Sequence, residues 1–360
     1  MKTLKILSIT IFILFTAPTV FAQGCEDPGE GDGINIFGYI QPQYQYQMLG
    51  ENGTFTKNED QSSFSFKRAR LGVIGNIPYD FTYYFMMEYS PERGIGINDA
   101  IITYNRFPFA KLSAGMFKAP FSAEQIQGCH KLYTIDRSTV VNQLAGPIRD
   151  TGIMLSGSLD SIAGIKNKKL ISYNLALFNG EGRGVIDQDN RKSFVARLAV
   201  SPVKHFSIGG NYKFGKTPNT DTTLDDDTSS RFGIDLKVDY KNFIVLGEYI
   251  SASDVGSYTT GGGCSGEPIE THQGSLDRNG YFVTALYKTP WNFEPVFKYE
   301  TFDADVDVDG DIVNTMTFGV NYFFNEWTRL QINYKYNYEE TFAAEVPNDM
   351  FMIQLQAIIK

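Results

Sequence analysis

The feature that most constrains this chain is an apolar–polar alternation of period two that returns many times, clearest in GYIQPQYQYQ, Gly38 to Gln47. Successive side chains of an extended strand point to opposite faces. Gln41, Gln43, Gln45 and Gln47 therefore share one face, and Ile40, Pro42, Tyr44 and Tyr46 the other. The same two-sided wall recurs: Phe81, Tyr83, Phe85, Met87 and Tyr89 oppose Asp80, Thr82, Tyr84 and Glu88, and Leu330, Ile332, Tyr334 and Tyr336 oppose Arg329, Gln331, Asn333 and Lys335. This pattern predicts sixteen strands, near residues 34–48, 63–76, 79–90, 97–107, 110–118, 150–160, 168–179, 191–201, 204–216, 230–240, 242–252, 279–289, 292–303, 312–323, 326–339 and 347–360.

The connections alternate in length. Ile77-Pro78, Pro108-Phe109, Pro202-Val203, Lys241-Asn242, Pro290-Trp291 and Asn325-Glu326 are tight, whereas residues 49–62, 119–149, 217–229 and 253–278 form long polar links. A closed antiparallel barrel with short turns on one side of a membrane and long loops on the other produces this sorting, and it requires an even strand number. In lipid every backbone polar group must be paired, so the sheet closes; its outer face is apolar and its inner face wet. Trp291 and Trp327 fall at short turns, where a membrane–water interface holds indole rings. The expected fold is thus an all-β, 16-stranded antiparallel transmembrane β-barrel. A secreted sandwich or propeller is the soluble alternative, but it has no reason to sort its loops or to expose such large aromatic faces.

The ends of the chain agree with that address. Lys2 and Lys5 precede an apolar run from Ile6 to Phe15, and Val20 and Ala22 suit a cleavage site, so residues 1–22 read as a signal peptide. Residues 23–33 read as a short acidic periplasmic tail and 34–360 as the barrel. Beyond the signal no stretch approaches the ~20 apolar residues of a spanning helix. The formal net charge of −9 argues against a nucleic-acid partner. Of three cysteines, Cys129 and Cys264 fall in long loops on one side, a pair that one disulfide would join, and Cys25 falls on the other.

A barrel of sixteen strands is too wide for side chains alone to fill, so something must narrow its lumen. The segment after strand five, residues 119–149, is too long for a hairpin and mixes apolar with charged groups; it is predicted to fold inward as a constriction loop. Alternation turns Arg68, Arg70, Arg197, Lys213, Lys237, Lys298, Arg329 and Lys335 toward the lumen, together with Asp80, Glu88, Asp99, Asp235, Glu248, Glu294 and Glu300. Rings of cations favour anions. Arg68 and Arg70 occupy successive inward positions and repel each other unless an anion, a loop carboxylate or a solute lies between them. A saccharide channel is a second reading, kept open by the inward aromatics Phe37, Tyr39 and Tyr84, and a loop-plugged structural or adhesion barrel is a third.

The stretches FKRARLG, GMFKAPFSAEQ, DRSTVVNQLAGPIRDTGIMLSG, LFNGEGRG, VARLAVSP and FEPVFKYETFD resemble, in order, the phosphate-selective porin O and P family. That resemblance implies a trimeric outer-membrane porin in outer-membrane lipid, whose third extracellular loop enters the pore and whose lumenal arginines and lysines guide small hydrophilic solutes or anions. It assigns Arg68, Arg70 and Arg197 to the arginine ladder and Lys118 and Arg137 to the constriction, with Lys131 and Arg149 added by loop membership. The constriction segment holds few lysines, so a loosely anion-preferring pore fits as well as a phosphate channel. His130, His205 and His272 lie near no nucleophile motif or metal spacing, so neither catalysis nor a cofactor is expected.

Overall fold

The computed structural model describes residues 33–48, 60–78, 80–91, 94–162, 165–187, 189–217, 226–260, 270–339 and 348–359. The signal segment, Cys25 and Cys264 lie outside them. Sixteen strands run β1 (Ile34–Gln47), β2 (Gln61–Ile77), β3 (Phe81–Glu88), β4 (Gly96–Phe107), β5 (Ala110–Lys118), β6 (Arg149–Ile162), β7 (Ile165–Phe178), β8 (Ser193–Val203), β9 (Phe206–Thr217), β10 (Asp227–Tyr240), β11 (Phe243–Thr260), β12 (Glu270–Tyr287), β13 (Phe293–Asp303), β14 (Val313–Phe323), β15 (Thr328–Glu339) and β16 (Met350–Ile359). Each pairs antiparallel with its sequence neighbours, and β1 pairs with β16 from Gly38↔Ile359 to Gln47↔Met350, closing the barrel.

Three boundaries differ from expectation. Most of residues 253–278 is strand, because β11 and β12 run on as a long hairpin paired as far as Thr260↔Glu270. Pro202 and Val203 belong to β8, and the turn is residues 204–205. Asp80 sits exposed in the short turn before β3, facing Arg106 at 3.7 Å, rather than in the lumen.

The faces sort as the alternation predicts. Leu71, Ile102, Leu112, Ile153, Leu175, Leu198, Phe232, Val283 and Phe318 are exposed on the outside, an apolar surface that only lipid covers at low cost. Aromatic pairs ring the short-turn end, among them Phe81–Tyr104, Phe243–Tyr287 and Tyr322–Phe324; Tyr44–Phe64 and Tyr336–Tyr338 ring the other. Trp291 and Trp327 lie exposed at the short turns.

The interior corrects one expectation: it is not wet throughout. Phe37, Tyr84, Met86, Phe117, Phe178, Val195, Ile250 and Phe282 point inward and pack into a buried apolar cluster with Phe121, Val140, Val141 and Leu144 of the segment 119–148. The crossing segment buries its own apolar side chains and needs apolar partners on the wall. Burying Val140, Val141 and Leu144 contributes roughly 5–9 kcal/mol before the entropy of ordering the loop. Gly280 on β12 makes this contact possible, since a Cβ there would stand 2.7 Å from Cγ2 of Val140.

Candidate functional site in the barrel lumen

Residues 119–148 leave β5, cross the lumen and return to β6. They contain α1 (Ala123–Ile126), a tight 3-10 turn (Cys129–Lys131) and α2 (Thr139–Leu144), with α2 packed on β11, β12 and β13. The first backbone N–H groups of a helix lack intrahelical acceptors, and here the loop and the wall supply them. Ser122 Oγ accepts from Gln125 N and donates to Glu248 Oε2 at 3.0 Å, which also accepts from Glu124 N. Ser138 Oγ accepts from Val141 N, while Glu300 accepts from Thr139 N at 2.9 Å and from its hydroxyl. Wall acids thus hold the two helix starts.

Cations and amides hold the carbonyls. Arg329 donates to Leu132 O at 3.0 Å and His130 O at 3.1 Å, Lys118 to Gln127 O at 2.9 Å, Lys298 to Asp136 O at 3.2 Å, and Lys213 to Gly146 O. Asn321 donates to Tyr133 O, Gln356 to His130 O, and Asn333 accepts from Ile135 N. The loop is therefore fastened to β2, β5, β9, β11 and β13–β16, with Lys67–Asp136 at 3.0 Å as its ion pair to β2.

The candidate cations divide by surroundings. Arg68, Arg70, Arg197, Lys213, Lys298, Arg329, Lys118, Arg137 and Arg149 are buried in the interior, Lys237 and Lys335 are half-buried, and Lys131 is exposed. Lys118 and Arg149 belong to the strand ends, facing each other across β5 and β6, not to the loop itself. Arg70–Glu88 at 2.7 Å, Arg149–Asp99 at 2.9 Å and Arg197–Asp235 at 2.5 Å are buried ion pairs. Lys298 lies 4.0 Å from Glu300, and Lys237 lies over the Tyr133 ring. Gly209 leaves room for Arg197 to reach over β9 to Asp235 on β10, since a Cβ there would meet both.

Arg68 donates to Gln41, and Arg70 to Glu88, to Tyr39 Oη and to Cys129 Sγ of the loop. The sequence reading missed Arg231 and Arg278, which share Asp254, although outward Phe232 and Ile234 turn Arg231 inward by the same alternation. It also missed Lys67, displaced by the β1–β2 irregularity at Gln41/Pro42 that breaks the parity.

At the crossing the positive groups converge on one atom. Cys129 Sγ, a free buried thiol, accepts from Arg70 at 3.2 Å and from Arg137 at 3.5 Å, while Cys264, its expected disulfide partner, lies outside the described residues. Burial raises its pKa, yet Arg137, Arg70, Arg68 and Lys118 overcome burial and bring the thiol well below its usual range. Asp136 likewise ionises below the usual carboxylate range: burial opposes this, but Lys67, Lys335 and Arg68 outweigh it. Glu124 shifts upward, because burial exceeds the help it receives from Lys298, the Ser138 N–H and Arg137.

A sixteen-stranded, lipid-faced barrel crossed by a loop with a positive centre is the geometry on which a comparison of sequences bears, and residues 38–261 match the phosphate-selective porin O and P family. The chain belongs to that family. It is an outer-membrane porin, a channel by family and by fold. The porin is similar in fold to an anion-selective porin from Comamonas acidovorans, with 12% identity, 91% of this chain and 99% of that chain covered, and a TM-score of 0.65. Salmonella typhi OmpF, in complex with daunomycin, aligns at 12% identity over 91% and 98% with a TM-score of 0.68. The channel DcaP of Acinetobacter baumannii aligns at 14% over 91% and 97% with a TM-score of 0.64. No curated protein matches the porin in sequence.

Proposed function

We propose that this porin passes small hydrophilic solutes by diffusion with a preference for anions, inorganic phosphate among them, and performs no catalysis. The observation that carries the reading is the convergence of Arg68, Arg70, Lys118 and Arg137 on Cys129, strong enough to overcome the effect of burial on a thiol. A positive potential at the narrowest point lowers the barrier to anions and raises it for cations. Many lumenal cations instead brace the wall or the loop; selectivity rests on the crossing cluster, where Arg68, Arg70, Lys118 and Arg137 meet Glu88 of the wall and Cys129 and Asp136 of the loop.

The reading includes export by residues 1–22, a periplasmic tail 23–33, a barrel over 34–360 and assembly as a homotrimer in outer-membrane lipid. The trimer form of in-vitro folded OmpT of Vibrio cholerae, a fold neighbour at a TM-score of 0.60, supports that assembly. The test is the reversal potential of the purified protein in planar bilayers under a potassium chloride gradient. A chloride-side reversal potential, with current steps grouped in threes, is expected; a potassium-side value refutes the anion preference.

A further inference from the structure

The glutamine face of β1 does more than line a wall. On the inner surface Gln47 stands opposite Gln61, Gln45 opposite Ser63, Gln43 opposite Ser65 and Gln41 opposite Arg68. Uncharged amides and hydroxyls thus descend from the long-loop rim to the cationic crossing. The lower steps are mutually bonded: Gln41 donates to Gln356 at 2.7 Å, and Gln354 donates to Gln43 at 2.9 Å. Gln43 in turn reaches Gln45 only at 3.4 Å, a weak contact.

At the upper steps lies a cavity of about 410 Å³, bounded by Gln45, Gln47, Asp60, Gln61, Ser62 and Ser63. That volume falls in the range of small-molecule sites, about 300–1,000 Å³. Among the described residues the side chains of Gln47, Gln61, Ser62 and Ser63 have no hydrogen-bond partner. The lining offers amide donors, amide acceptors and hydroxyls, which serve as both. Among the described residues that line it there is no cation to attract an anion and no apolar side chain to hold a hydrophobic solute. Its one carboxylate, Asp60, accepts the Tyr46 hydroxyl.

We propose that this cavity is a recognition subsite for a short neutral saccharide, whose hydroxyls each donate and accept as the lining does. The subsite deepens the channel reading, on which it rests for passage of the sugar but not for binding. These side chains are exposed or half-buried and hydrated when the site is empty, so a solute gains by exchanging that water for several amide and hydroxyl contacts at once, and one that cannot donate makes fewer of them.

The experiment measures chloride current through the full chain in planar bilayers as sucrose is added, against a poly(ethylene glycol) of matched hydrodynamic radius, which accepts hydrogen bonds but scarcely donates them. Sucrose is expected to reduce the current saturably, and the glycol only in proportion to bulk conductivity. Gln45→Ala with Gln47→Ala raises the half-saturating sucrose concentration about tenfold, and Ser63→Ala, a milder change, raises it severalfold. Equal, unsaturable reductions by both solutes, or saturation curves unmoved in both variants, overturn the proposal. If no current flows, the channel reading fails separately, and sucrose calorimetry on the detergent-solubilised protein decides the subsite: heat that saturates supports it, none overturns it.

Discussion

Replacing Arg68 and Arg70 together by alanine tests the charge argument at its centre. Arg68, Arg70, Lys118 and Arg137 surround Cys129, with Glu88 paired to Arg70. The double change removes two of the four positive charges and leaves Glu88 without its ion-pair partner. Across water a unit charge about 8 Å from a permeant ion is worth about 0.5 kcal/mol. Two are worth about 1 kcal/mol, of opposite sign for chloride and potassium, so their removal shifts the permeability ratio by about 2 kcal/mol, a drop of about thirtyfold before screening. The assay is the reversal potential in planar bilayers at about 0.1 M salt, where charges act over ~10 Å; at 1 M that length contracts to ~3 Å and the difference between wild type and variant should vanish. Arg68→Lys with Arg70→Lys keeps the charge and should hold the ratio within about twofold. A double-alanine ratio within twofold of wild type at low salt, or a drop that survives 1 M salt, would show that these arginines only brace the wall.

Three other consequences can be measured. Arg70→Ala alone leaves Glu88 buried and unpaired and should cost about 3–5 kcal/mol in urea unfolding from lipid vesicles; adding Glu88→Gln should recover more than half, and a cycle without coupling refutes the pairing. The Cys129 thiol is held below its usual range, so its thiolate is fully present above the unfolded thiol pKa of about 8.5 and is lost only as pH falls through the lower folded value. The ultraviolet thiolate absorbance of wild type minus Cys129→Ser should therefore rise at a lower pH in the folded protein than in the unfolded chain, and a rise at or above the unfolded value contradicts the cluster. Gly280→Val places a side chain against Val140 and overpacks the α2 contact by about 1–3 kcal/mol; single-channel conductance should rise as the loop is displaced, and unchanged conductance with unchanged stability refutes that packing.

Much of the barrel was legible because a strand has a period of two and lipid permits no exceptions on its outer face. Leu330, Ile332, Tyr334 and Tyr336 fixed the parity of β15, and Arg329, Gln331 and Asn333 followed to the inside. Lys67 escaped because an irregularity shifts parity locally, and the extension of β11 and β12 escaped because a polar hairpin past the rim carries no apolar signal. The apolar interior was also hidden: inward Met86, Val195 and Phe282 look like errors of alternation until the crossing helix that they contact is seen.

The sequence by itself determined the closed, even-stranded wall, its two faces and the length of the loop that enters it, since each follows from local periodicity and from the need to pair every backbone group in lipid. Only the tertiary structure decided which inward charges meet. Arg70 finds Glu88 on β3, Arg197 reaches over β9 to Asp235, and Arg137 meets Arg70 at Cys129, because strand register and the path of the loop set those distances. Charge type is written residue by residue, but electrostatic potential depends on separation in space.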